Sequence, residues 1–232
     1  MSAAPDTLLL DLGNTHLHWR LGPRQGILRD PESSNEWPFR PAEIGRVVWA
    51  AVGDDQRLEG LRRLLDKVEW TRCRHPDPEW LPTRYDSAQL GIDRWLAMLG
   101  VVCGSFALPG PCIVVDAGTA VTLDILTHDG HIGGWIMPGY HRWHAGLYAG
   151  TRIPPAPPGL AAARPGEDTV AAMANGWQVS MESVIAAQLT ERAGATLFLT
   201  GGDAGRLATR FAGAFVVPEL TLDGLAAWSA RN

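Results

Sequence analysis

Leu8-Leu9-Leu10-Asp11-Leu12-Gly13-Asn14-Thr15 is an apolar run that breaks into a carboxylate, a glycine and two small polar residues. It reads as a strand ending in a tight turn. The second half of the chain carries a near-copy, Ile113-Val114-Val115-Asp116-Ala117-Gly118-Thr119-Ala120. Alternating sequence follows each copy, over residues 17–21 and 121–126, so each Asp-x-Gly is expected at the bend of a β-hairpin and not at the start of a helix. Repetition on this scale predicts a duplicated domain. Glycine suits such a bend where the backbone takes a positive φ or lets a ligand come close, and N–H groups exposed there can donate to phosphate oxygens. The aspartate cannot bind phosphate itself; its chemistry is to hold a cation, or a water that does. Two ordinary glycine hairpins would leave the same pattern in either copy taken alone.

Composition narrows the classes. With 232 residues, 46% of them hydrophobic, the chain can bury roughly 70% of the surface its unfolded form exposes, enough for one large domain or two small lobes. A net charge of −5 and the absence of any Lys/Arg run argue against a nucleic-acid surface. Lys67 is the only lysine and has no glycine loop beside it, which excludes a P-loop or Schiff-base lysine. Cys73, Cys103 and Cys112 form no Cys-x-x-Cys, and scattered cysteines without a signal peptide fit a reducing cytosol. No apolar run approaches the ~20 residues of a membrane span, so a cytoplasmic, membrane-free protein is expected.

Outward from the first bend, residues 22–45 read as loops with a short strand at 26–28. Residues 46–53 form a buried strand, and residues 54–66 an amphipathic helix with Leu58, Leu61, Leu64 and Leu65 on its apolar face. Another strand fits 68–73. After a proline-marked loop comes Tyr85, and helical spacing from Ile92 places Asp93 and Arg94 in the first turn of a helix. Asp93 then reads either as a helix-start carboxylate beside a solvated arginine or as a base beside an anion clamp. A lobe boundary is expected between 108 and 109. Beyond the second hairpin, Asp129-Gly130 makes a turn, and His131 to Gly139 is a strand ending in a glycine loop. His141 and His144 could share a helix face, with nothing nearby to complete a metal site. Residues 154–166 read as a stiff, poorly structured linker. A long helix follows from about Thr169, itself a capping-region residue or a substrate contact. Residues 195–200 form a strand running into Gly201-Gly202 and a helix, a third place where backbone can meet a ligand. Phe215 to Pro218 and a short helix close the chain. Trp95, Trp135, Trp143 and Trp177 suit core or interface anchoring better than ligand stacking.

Taken in order, these pieces resemble the type III pantothenate kinases of the actin, sugar-kinase and heat-shock-chaperone ATPase superfamily. The resemblance rests on Asp11-x-Gly13-Asn14-Thr15, Tyr85 ahead of Gly91-x-Asp93-Arg94, and Asp116-x-Gly118-Thr119-Ala120 with Thr122 and Asp124. Gly133-Gly134 through Pro138-Gly139, Thr169 ahead of Gly176, and Thr200-Gly201-Gly202 complete it. It implies an α/β fold of two actin-like (ribonuclease H-like) lobes, 1–108 and 109–232, each a mixed five-stranded sheet with helices, and ATP in the cleft between them. It implies ATP-dependent phosphorylation of pantothenate, the first step of coenzyme A biosynthesis. By position, Asp11, Leu12, Gly13, Asn14, Thr15, His16, Leu17 and His18 resemble the first ATP-phosphate loop, and Thr119 a nucleotide contact. Asp93 resembles the proton acceptor. Tyr85, Gly91, Ile92, Asp93, Arg94 and Thr169 resemble the pantothenate site, and Asp116 the ligand of a potassium or ammonium ion acting alongside Mg²⁺. Members are homodimers whose substrate pocket is completed across the interface. Many carry Lys where His18 stands, so a positive charge beside the phosphates would come from Arg20, from protonated His18, or be missing, with weak turnover. The same family likeness admits an alternative, a catalytically weak or inactive homologue acting as a regulatory accessory protein.

Overall fold

The computed structural model describes residues 6–29, 37–157, 159 and 161–232. Contact density divides the chain into two compact units, Met1–Leu81, Asp86–Ser105 and Leu220–Asn232 in the first, Pro82–Tyr85 and Phe106–Glu219 in the second.

In the first unit, β1 (Asp6–Leu12) turns back antiparallel as β2 (Leu17–Leu21), which pairs antiparallel with β3 (Arg24–Leu28). β4 (Ile44–Ala51) and β5 (Glu69–Arg72) add in parallel on the other side of β1, giving the order β3-β2-β1-β4-β5. Leu8, Leu9 and Leu10 are all buried, the signature of a central strand covered on both faces. Leu8, Leu10, Val47, Trp49 and the helix α1 residue Leu61 share one core; α1 is Glu59–Leu64. On the expected 54–66 helix the structure corrects two points. A 3₁₀ turn takes its start, and Leu64 faces solvent while Leu58, Leu61 and Leu65 are buried.

The other face of β1 and β4 is covered by α2 (Ile92–Cys103) and the C-terminal helix α6 (Leu220–Arg231). These two cross so closely that a Cβ on Gly100 would meet the carbonyl of Leu220, and one on Gly224 the carbonyl of Leu96. Arg46 fastens α6 by donating to the carbonyl and hydroxyl of Ser229 at 2.9 and 2.8 Å.

The second unit repeats the plan. β6 (Cys112–Ala117), β7 (Ala120–Thr127) and β8 (Gly130–Pro138) form the antiparallel meander, and β9 (Thr196–Thr200) and β10 (Phe215–Val216) add in parallel, in the order β10-β9-β6-β7-β8. Strand for strand, pairing and direction match the first sheet, so the duplicated α/β plan of two mixed five-stranded sheets with helices expected from the sequence is the one observed. α3 (Tyr140–Gly150), α4 (Thr169–Glu191) and α5 (Ala204–Ala208) accompany this sheet, and Trp177 and Tyr140 lie at the centre of their core. The proline-rich stretch carries no helix or strand among its described residues, as expected, and side chains tie it to the helices beside it. The Tyr148 hydroxyl donates to the Ala156 carbonyl (2.8 Å), the Tyr140 hydroxyl to that of Gly159, and Ala162 N–H to Asn175 Oδ1 (2.8 Å). No helix among the described residues is long and apolar enough to cross a membrane.

Candidate functional site

The first bend is built where β1 hands over to β2. Leu12 and Leu17 point their side chains into the core, which leaves the backbone between them, and the exposed Asn14 and Thr15, at the surface. Gly13 N–H closes the turn on the His16 carbonyl at 3.0 Å. Sequence reasoning missed the residue that holds this loop. Arg57, just before α1, donates to the carbonyls of Gly13 (3.0 Å), Asn14 (3.4 Å) and Thr15 (3.2 Å). One guanidinium thus holds three successive carbonyls of the loop. Burial first, then the positive fields of His18, Arg29 and Arg57, hold the His16 imidazole below its ordinary pKa. Arg29 and Arg57 thus bring guanidinium charge near this bend. Arg20 does not supply that charge, since its guanidinium is committed to Asp223 on α6 (2.7 Å) and to Gln25 (3.1 Å).

Gly91 is the N-cap of α2 and Asp93 lies in the first turn, as the spacing predicts. The Asp93 carboxylate accepts the N–H of Arg94 at 2.8 Å and folds back over Gly91, where a Cβ would stand 2.5 Å from its Oδ1. Arg94 is buried, which corrects the picture of a solvated arginine. Almost the whole surface of α2 is covered, and an arginine in its first turn has nowhere exposed to go.

The second bend sits at the ends of β6 and β7, with Gly118 N–H donating to the Ala120 carbonyl at 3.0 Å. It is held by backbone and by missing side chains. Gly139 N–H donates to the Thr119 carbonyl at 3.2 Å, Asp203 N–H to that of Ala117 at 2.9 Å. A Cβ on Gly139 would lie 2.6 Å from Thr119 O, and one on Gly201, whose φ is +86°, would press on Ala117 and the Asp116 carboxylate. The glycine loops after β8 and β9 thus let three strand ends converge on Asp116 and Thr119.

Of the two reasons expected for glycine at these bends, a positive φ does not apply to Gly13 or Gly118. A Cβ on either would find only ordinary contacts, 3.5 Å from His16 O and from Asp116 Oδ1 respectively. The fold alone would accept alanine at both, so what the missing side chain keeps open is the approach from outside.

The predicted residues are divided between the units. Asp11 to His18 and Gly91 to Arg94 belong to the first, whereas Tyr85, Asp116, Thr119 and Thr169 belong to the second, although Tyr85 and Gly91 are close in sequence. Thr169 is exposed at the first position of α4, where the cap is Asp168, accepting from Ala171 N–H at 2.8 Å, so the threonine hydroxyl is not the capping group. His144 is buried with Nδ1 on the Tyr140 carbonyl (2.8 Å) while His141 is exposed; no metal-sized cluster of His, Cys, Asp or Glu occurs among the described residues.

Residues 59–191 match the family model of the type III pantothenate kinases. A type III pantothenate kinase of Pseudomonas fluorescens (strain SBW25) is 39% identical, over 94% of this chain and 97% of its own length. One from Marinobacter nauticus is 34% identical, over 94% and 96%. Among solved structures, a Baf family protein from Campylobacter jejuni aligns with a TM-score of 0.65 at 23% identity, covering 97% of this chain and 98% of that one, a likeness of fold.

Proposed function

Because the chain belongs to the type III pantothenate kinase family, we propose that it transfers the γ-phosphoryl group of ATP to the primary hydroxyl of pantothenate. Beside family membership, the observation that carries this reading is the pair of bend glycines that the fold does not need. Each keeps free the side of a loop from which a phosphate would approach, in a chain without a P-loop lysine. The segment Asp11 to His18 serves the phosphates and Thr119 the nucleotide. Phosphoryl transfer asks mainly for alignment and charge stabilisation, and oriented backbone N–H groups, Arg57 and Arg29 supply part of both.

Asp93 accepts the hydroxyl proton as the alcohol attacks. Its own bond to the Arg94 N–H pre-orients the carboxylate. Tyr85, Gly91, Ile92, Arg94 and Thr169 position pantothenate, with Arg94 suited to its carboxylate. Asp116 is the residue to hold a potassium or ammonium ion, and Mg²⁺ would neutralise charge on the β- and γ-oxygens when bound. The exposed Trp135 and Ile136 of β8 and Val179 of α4 offer the apolar surface on which a second copy would pack to form the homodimer. The free cysteines suit the cytoplasm.

The test is ADP release with and without pantothenate, in potassium and then in sodium. Asp93→Asn should fold, bind ATP and lose at least a hundredfold in kcat, about the lower limit for removing a general base. Wild-type protein that releases no pantothenate-dependent ADP would end this reading and leave the accessory-protein alternative.

A further inference from the structure

Asp124 and His131 face each other inside the second unit, both side chains almost completely buried, with Nε2 of the imidazole 2.9 Å from Asp124 Oδ1. The other ring nitrogen, Nδ1, lies 2.9 Å from Thr83 Oγ1, and that hydroxyl accepts the N–H of Tyr85 at 3.0 Å. The Tyr85 ring is stacked on the imidazole, 6.0 Å between centroids and 22° between planes. Backbone bonds reinforce the contact, His131 N–H to the Pro82 carbonyl (2.8 Å) and Arg84 N–H to the His131 carbonyl (2.9 Å). Gly130, with φ +104°, leaves the space that Pro82 fills.

One hydrogen-bond assignment satisfies this set in a single direction. With its hydrogen on Nε2, His131 donates to Asp124 and accepts at Nδ1 from the Thr83 hydroxyl, whose oxygen accepts from Tyr85. A buried carboxylate and imidazole are costly compared with apolar residues of the same volume, and their best-attested return is geometric specificity. Here that specificity ends on Tyr85.

We propose that Asp124, His131 and Thr83 form a positioning relay that fixes the ring and backbone of Tyr85, and through it the affinity for pantothenate. The proposal rests on the reading of Tyr85 as a substrate contact. Thr83→Val removes the middle hydroxyl without stranding the buried carboxylate. It should raise the KM for pantothenate about tenfold, a coupling typical of contacting residues, with kcat, the KM for ATP and the melting temperature little changed. Thr83→Ser should restore the wild-type value, and Thr83→Ala, which leaves room for water at Nδ1, is read in the same way as Thr83→Val. In a Tyr85→Ala background Thr83→Val should add nothing. A raised pantothenate KM in Tyr85→Ala with wild-type behaviour in Thr83→Val overturns the relay alone. Equal rises in both KM values, or additive effects of the two substitutions, reduce it to ordinary packing. An unchanged pantothenate KM in Tyr85→Ala overturns the substrate role of Tyr85 and the relay with it.

Discussion

The two acidic-glycine bends occupy the same place in two copies of one sheet, yet they are kept in shape by opposite means. The first is gripped by a side chain from elsewhere, three of its carbonyls taken by Arg57. The second is wedged by glycines at 139 and 201, whose lack of a Cβ lets neighbouring strand ends close on it. A shape fixed by a guanidinium can be loosened by degrees, and it brings positive charge. A shape fixed by backbone contact is neutral, and it breaks when any atom is inserted.

That contrast can be broken first at the second bend. Gly139→Ala and Gly201→Ala insert a methyl group against backbone, at 201 also at a positive φ, and should each cost about 3 kcal/mol, read as a fall of roughly 8 °C in melting temperature. Gly13→Ala and Gly118→Ala separate folding from binding. Both should melt close to wild type, but with a phosphate pushed off its N–H groups the KM for ATP should rise about tenfold or more, the worth of a hydrogen bond to a charged group. Arg57→Ala should raise the KM for ATP roughly fivefold and lower stability by about 1 kcal/mol, since these bonds are partly exposed. Arg57→Lys should recover little, because one ammonium cannot span three carbonyls.

The smallest effect is a pH dependence. His16 is held below its ordinary pKa, so the unfolded chain takes up its proton before the folded one does. Its contribution to stability is therefore present above pH about 6.5 and is lost as the pH falls toward the lowered folded value. Between pH 7.5 and 5.5 the melting temperature of wild type should fall more steeply than that of His16→Asn, which has no imidazole to protonate.

How much of this could be read in the chain follows from the range of each interaction. The hairpins and the start of α2 were legible, because period-two alternation, an Asp-x-Gly bend and a helix-start glycine are local. Arg57 was not, because its partners are more than 40 residues away and an arginine near a helix start reads as solvated. For Arg94 the spacing leaves a solvated arginine and an anion clamp both open, and its burial, a matter of tertiary packing, decides against the first. The proline-rich 154–166 is legible as a stretch without regular structure, since proline lacks a donor, but the tethers from Tyr140 and Tyr148 to its carbonyls are not, because composition does not show them. Tyr85 and Gly91, grouped in one site by the family resemblance, fall in different packing units, a division that sequence spacing does not show.

The crossing of α2 and α6 at Gly100 and Gly224 carries a consequence for how the molecule is made. During translation the first sheet emerges early, but the helix that covers its second face is encoded after the whole of the second sheet. Until residue 220 and its successors leave the ribosome, α2 presents an uncovered apolar flank, and the nascent chain waits with its opening half unsealed, a window in which chaperone protection matters most.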